Sequence, residues 1–157
     1  MLRNPAMEQY QAGIQLLEGA AFQEAIPYFS TSIKLNPELP QSHLCLGIAY
    51  HNLGRLTEAV NAYEEAIHLD PGYGKAHRFL GNAYGRLGNY PKAQESLEKA
   101  VSLDPTDPYT ALALACAYDR DQDIEKAILF YQKALEISLD EPYRKAVKER
   151  IKELQQV

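Results

Sequence analysis

Residues Ser42 to Pro71 read SHLCLGIAYHNLGRLTEAVNAYEEAIHLDP. Apolar side chains recur in it at spacings of three and four, break at the turn around Gly54, and resume with the same spacing. That rhythm puts the apolar residues on one face of each of two short helices, and glycine between the runs supplies the turn. The arrangement returns at a constant interval to either side: windows opening at Ala6, Pro40, Gly74 and Pro108 place Ala25, Ala59, Ala93 and Ala127 in register. Gly13, Gly47, Gly81 and Ala115 fall in register before them.

Large residues keep the same phase: Leu16, Tyr50, Tyr84 and Tyr118; Phe22, Leu56, Tyr90 and Ile124; Phe29, Tyr63, Leu97 and Tyr131. Small residues allow two helix backbones to approach closely, and the large partners fill the space beside them. The breaks fall at Gly19, Gly54, Gly88 and Asp121-Gln122-Asp123, where an aspartate can cap the next helix. Asn4-Pro5 and Asp107-Pro108 read as an N-cap followed by proline at the first helical position, and Pro91 also sits in a first turn.

With this set of positions the chain resembles the tetratricopeptide repeat (TPR) family, whose unit is a 34-residue helix-turn-helix. The resemblance covers residues 6–141. It implies an all-α, right-handed helical-hairpin solenoid with repeats at 6–39, 40–73, 74–107 and 108–141. Repeats stack in one dimension, so residues 1–157 are expected to form a single domain. Residues 142–157 carry an apolar stripe of Tyr143, Val147, Ile151 and Leu154 on an otherwise charged segment, which reads as a capping helix that marks a natural end; residues 1–5 read as a lead-in.

The formal net charge of −5 argues against a nucleic-acid partner, which requires a continuous basic surface. The third repeat and the capping segment are the only sizeable basic islands, and Lys145, Lys148 and Lys152 read as a solvated face. No run is long and apolar enough to cross a membrane and no secretory signal is evident, so a cytoplasmic address is expected. Cys45 and Cys116 lie two repeats apart, too far for a disulfide, and read as reduced apolar residues.

No phosphate loop, nucleophile elbow or paired-cysteine metal spacing is present, so neither an enzyme nor a cofactor is expected. His43 and His77 recur in phase, where packing between the helices of one repeat explains them better than a metal. Only Cys45, Cys116 and His51, sharing one face, leave an enzymatic alternative.

The resemblance implies that first helices line a concave groove that holds an extended or helical segment of a partner protein. The side chains expected there are Tyr10, Gln11, Ile14 and Leu17; Leu44, Cys45, Ile48, His51 and Asn52; Lys75, Arg78, Phe79, Asn82 and Arg86; and Tyr109, Leu112, Cys116 and Arg120. Tyr10, Ile14, Leu44, Ile48 and Phe79 are expected to be apolar anchors, and Lys75, Arg78, Asn82 and Arg86 to orient an acidic or carbonyl group. The clamp that some family members use for acidic chaperone tails is not expected: aligned to the first three repeats its five positions hold Tyr10, Ile14, Cys45, Lys75 and Phe79, of which only Lys75 fits, and started at the third repeat they hold Arg78, Asn82, Ala113, Tyr143 and Val147, which make no clamp either. Self-association, by dimer docking or end-to-end stacking, is the alternative reading.

Overall fold

The computed structural model describes residues 4–156, and among them the chain is helical with no strand. Four hairpins follow one another: α1 (Pro5–Glu18) with α2 (Phe22–Leu35), α3 (Pro40–Asn52) with α4 (Leu56–Leu69), α5 (Gly74–Arg86) with α6 (Tyr90–Leu103), and α7 (Pro108–Arg120) with α8 (Ile124–Ile137). A last helix, α9 (Glu141–Leu154), packs on α8. Most of the expected lead-in, residues 1–3, lies outside the described residues, as does residue 157.

The expected caps Asn4, Asp107 and Asp123 form, and Asn89 adds one beyond those expected. Asn4 accepts from the Met7 amide, Asp107 from Tyr109, Asn89 from Lys92 and Asp123 from Lys126. Each satisfies an amide that the first helical turn leaves without an intrahelical partner. The reversal inside each hairpin is also periodic: positive φ occurs at Ala20, Gly54, Gly88 and Gln122, the same position in each of the four repeats. In all four the following amide reaches back to the helix, from Ala21 to the Leu16 carbonyl, Arg55 to Tyr50, Asn89 to Tyr84 and Asp123 to Tyr118. This left-handed exit closes the helix C-terminus.

The first break therefore turns on Ala20, not on Gly19, whose φ is −79°. A side chain in the left-handed region carries a steric cost that glycine does not, roughly 1–2 kcal/mol. Ala20→Gly and Gln122→Gly are each expected to stabilise the fold, by up to about 1 kcal/mol once the greater entropy of the unfolded glycine is set against the relief, and so to raise the thermal midpoint. Thermal unfolding followed by circular dichroism reads this out, and a lowered midpoint in both would contradict it.

The small and large positions meet as their phase requires. Ala25, Ala59, Ala93 and Ala127 are fully buried, with Phe29, Tyr63, Leu97 and Tyr131 buried beside them. A Cβ at Gly13 would lie 2.7 Å from Phe29, one at Gly47 2.4 Å from Tyr63, and one at Gly81 2.5 Å from Leu97. His43 and His77 are half-buried, and each Nε2 donates to the carbonyl of a proline in the preceding turn, Pro37 at 3.1 Å and Pro71 at 2.9 Å.

First helices touch one another along the array, α1 with α3, α3 with α5 and α5 with α7, whereas the second helices make no such mutual contacts among the described residues. Stacked hairpins that touch along only one row bend toward that row. The first helices therefore line the inner face of the superhelix, and the second helices its outer face.

The two ends differ in chemistry from the middle. Repeats two to four turn small and apolar side chains toward the repeat before them: Ser42 and Cys45, then Ala76 and Leu80, then Ala111 and Leu114. On α1 the positions in phase with Ser42, Cys45, Leu46 and Ala49 are Glu8, Gln11, Ala12 and Gln15, and Glu8, Gln11 and Gln15 are exposed. At the other end α9 buries Val147, Ile151 and Leu154, while Lys145, Lys148 and Lys152 face solvent. Tyr143 departs from the expected apolar stripe: it is 50% exposed and meets Tyr109 edge-on at 5.8 Å.

Candidate functional site

The inner face divides into an apolar N-terminal half and a polar pocket further along. In the first half Tyr10, Ile14 and Leu17 are half-buried against Ala25, Phe29 and Cys45. Tyr10 leans on Phe29, with ring centres 6.2 Å apart, and burial pushes its pKa up to about 12. Ile48 is half-buried on the next cluster, and Asn52, exposed, returns its amide to the Ile48 carbonyl at 2.9 Å.

Two expected anchors belong to the packing between repeats. Leu44 is 4% exposed, inside the cluster that joins Ala59, Tyr63, Ala76 and Leu80, and it does not face the groove. Phe79 is half-buried and stacked on Tyr63 at 5.9 Å. Cys45 is likewise buried, among residues of the first repeat, and Gln11 lies on the polar N-terminal edge. A first helix has to meet its own partner helix and both neighbouring repeats, which leaves only a narrow stripe for a groove.

Arg78 is also engaged within the chain. Its Nε lies 3.4 Å from Asp107 Oδ2, and its guanidinium covers the Phe79 ring at 4.8 Å. Lys75 remains exposed, on the rim of a depression it shares with Arg78, Asp104 and Asp107. Tyr109 turns to the capping helix, where its hydroxyl donates to Asp140, and Leu112 packs into the C-terminal cluster.

The remaining expected residues converge. His51 from α3, Asn82 and Arg86 from α5, and Cys116 and Arg120 from α7 line a pocket of about 620 Å³ on the inner face. Gly81, Gly85 and Gly88 form part of its wall, and at Gly85 and Gly88 no neighbouring atom fills the place of the missing side chain. Arg86 Nη1 donates to the His51 carbonyl at 2.9 Å, which holds the guanidinium across the gap between α3 and α5. Burial, with Arg86 nearby, lowers the His51 pKa, so the ring is neutral at pH 7. Arg120 is exposed and makes no ion pair or hydrogen bond within the described residues.

An adjoining cavity holds residues absent from the expected list. Asp119, 8% exposed, accepts from Arg150 Nη2 at 2.7 Å, from Arg150 Nε at 2.8 Å and from the Tyr131 hydroxyl at 3.0 Å. The bond from Arg150 keeps its carboxyl below the usual carboxylate range. Its signal in the sequence is the phase: Asp119 stands two repeats after His51, and Arg150 stands two repeats after Asn82.

Both cysteines sit in surroundings that favour the thiol over the thiolate. Burial pushes the Cys45 thiol up to about 11 and raises that of Cys116, which keeps both protonated at neutral pH, and the thiolate is the reactive form. Among the described residues no cluster of His, Cys, Asp and Glu could hold a metal, and no helix is long and apolar enough to cross a membrane.

Family models described as tetratricopeptide repeat match residues 28–61 and 74–140, and one described as TPR repeat matches residues 49–88. The chain is a tetratricopeptide repeat protein. A search of curated sequences returns no match. Among solved structures, a MamA crystal structure is 25% identical over 85% of this chain and 78% of its own, with a TM-score of 0.80. Residues 41 to the end of MamA from Desulfovibrio magneticus RS-1 superpose over 99% of this chain and 96% of theirs, with a TM-score of 0.82; at 23% identity this likeness shows the fold. The APC/C hetero-tetramer Cut9-Hcn1 contains a chain 27% identical over 85% of this TPR protein, with a TM-score of 0.79, of which the match covers 26%.

Proposed function

We propose that this TPR protein is a non-enzymatic interaction module, one domain over residues 1–157, that holds an extended or helical segment of a partner protein on its inner face. The observation that carries this reading is the pocket between α3, α5 and α7, where side chains from three repeats converge around a glycine-walled gap. A concave site with a few convergent polar groups is the usual form of a binding site, and a few anchors carry most of the affinity. Tyr10, Ile14, Leu17 and Ile48, half-buried at the N-terminal half of the face, supply apolar surface for the rest of the segment. Among similar structures, the Cut9-Hcn1 hetero-tetramer is a protein assembly, which agrees with such a role. End-to-end stacking has less support, because both terminal faces are polar.

Gly85→Trp tests the reading. A Cβ at Gly85, a pocket-lining position, meets only Ala93 Cβ, at 4.0 Å, so a side chain starts there without a clash, and its indole is directed to fill the pocket. Proteins captured from native extract by the wild-type chain are expected to be lost with this variant while its helical circular dichroism is unchanged. Retention of every captured protein would remove the groove from the proposal.

A further inference from the structure

The chain carries its own example of a carboxylate held on the inner face. In the fourth repeat the Asp119 side chain is bound by the hydroxyl of Tyr131 from its own second helix and by Arg150 from the next first helix. The same three positions, counted two repeats earlier, are His51, Tyr63 and Asn82. Here the acceptor is missing. Tyr63 is fully buried and its hydroxyl has no partner, and His51 Nδ1, whose ring lies 6.5 Å from that of Tyr63, is buried without one either. Buried polar groups in folded proteins are almost always paired, so an orphaned tyrosine hydroxyl next to His51, itself a pocket-lining residue with an orphaned ring nitrogen, points to an absent polar partner on this side of the pocket.

The charges agree. The pocket is lined by Arg86 and Arg120, in a chain of net charge −5, and the nearby carboxylate of Asp119 is already taken by Arg150 and Tyr131. Arg86 spends one nitrogen on the His51 carbonyl and keeps the rest of its fork free for an anion, which suits bidentate recognition of a carboxylate.

We propose that this pocket takes an acidic side chain, Asp or Glu, from within a partner protein segment, its carboxylate lying between Arg86 and Arg120 and beside the amide of Asn82. The inference rests on the reading of the inner face as the partner site, and it names what that site selects. A side chain is favoured over a chain terminus because the carboxylate already bound in the fourth repeat is a side chain on a continuous helix. The family's two-carboxylate clamp is not formed here: counted from the first repeat its positions hold Tyr10, Ile14, Cys45, Lys75 and Phe79, counted from the third Arg78, Asn82, Ala113, Tyr143 and Val147, and neither Arg86 nor Arg120 stands at one of them, although Asn82 and Ala113 line the pocket.

A phage-displayed library of random dodecapeptides, selected on the full chain, tests both levels. Selected sequences are resynthesised with acetylated N-termini and amidated C-termini, and binding is followed by fluorescence anisotropy. The expected result is a set of peptides that lose binding to Gly85→Trp and share an Asp or Glu. Its replacement by Asn or Gln should weaken binding at least tenfold. Arg86→Gln and Arg120→Gln, both surface changes checked by circular dichroism, should each weaken the acidic peptide at least tenfold and leave its amide counterpart nearly unchanged. An empty selection, or peptides indifferent to Gly85→Trp, would overturn the groove reading itself. Peptides that depend on the groove but tolerate the amide replacement would overturn only the acidic-side-chain assignment. Affinity that appears only when the peptide keeps a free C-terminal carboxylate would overturn it in favour of a terminal anion.

Discussion

Gly81→Ala is expected to destabilise the protein, while Gly85→Ala, one turn further along the same face of α5, is expected to stabilise it. Both glycines lie in a helix, where alanine has the advantage by roughly 1 kcal/mol. At Gly81 a Cβ would come within 2.5 Å of Leu97 Cγ and 3.1 Å of the Ala93 carbonyl oxygen. Leu97 is 1% exposed, and its branch carbon cannot swing away as a side-chain end could. Forcing a methyl into such a core costs about 1–3 kcal/mol, which outweighs the helical gain. At Gly85 the nearest atom is 4.0 Å away, so the helical gain of roughly 0.4–1 kcal/mol remains. Thermal midpoints should therefore move in opposite directions, by about 2–4 °C per kcal/mol for a chain of this size. Stabilisation by both would show that the α5–α6 approach at Gly81 is not as close as described, and destabilisation by both that the space at Gly85 is not open.

The second large effect concerns the end of the array. Asp119→Ala is expected to loosen α9, because the carboxylate gathers Tyr131 from α8 and Arg150 from α9 at one point. Tyr131 is 5% exposed, and its hydroxyl would keep only a weak contact with Cys116 Sγ at 3.6 Å. Leaving a buried hydroxyl so poorly satisfied costs about 1–3 kcal/mol. Arg150, at the surface, can return to water, so its lost ion pair adds little.

The same carboxylate sets a pH dependence. Its pKa is lowered in the folded protein, chiefly by the bond from Arg150. A lowered folded value means that the stabilisation is complete above the unfolded value of about 3.9 and is lost as the pH falls through the folded one. The difference in thermal midpoint between wild type and Asp119→Asn should thus be constant near neutrality and shrink below about pH 4. A difference that persists undiminished at acid pH would show that Asp119 is not the titrating link. Hydrogen exchange confined to α9 amides would locate the loosened segment.

Much of the site was legible in phase alone. His51, Asn82, Arg86 and Arg120 were expected on the groove from their positions, and they do meet around one pocket. Leu44 and Phe79 carry the same helical phase, yet one is buried between repeats and the other stacks on Tyr63. Phase gives the direction of a side chain from its own helix. It does not say how close the neighbouring repeat comes, and that distance decides between groove and core. Arg78 illustrates the electrostatic counterpart: its charge was visible, but its pairing with Asp107, on the far side of a whole hairpin, depends on how two turns come together.

The recurrence of one pattern at a constant interval by itself determined the helical hairpins, the small-against-large pairing within them and the family, because each rests on contacts between residues close in sequence whose geometry repeats in every copy. Tertiary structure alone decided which first-helix residues remain open, why Asp119 is bound while Tyr63 Oη and His51 Nδ1 have no partner, and where the pocket lies. Those outcomes depend on the stacking of one repeat on the next. There a single side chain, present at Asp119 and missing at Gly85, changes which polar groups meet and which face an empty space.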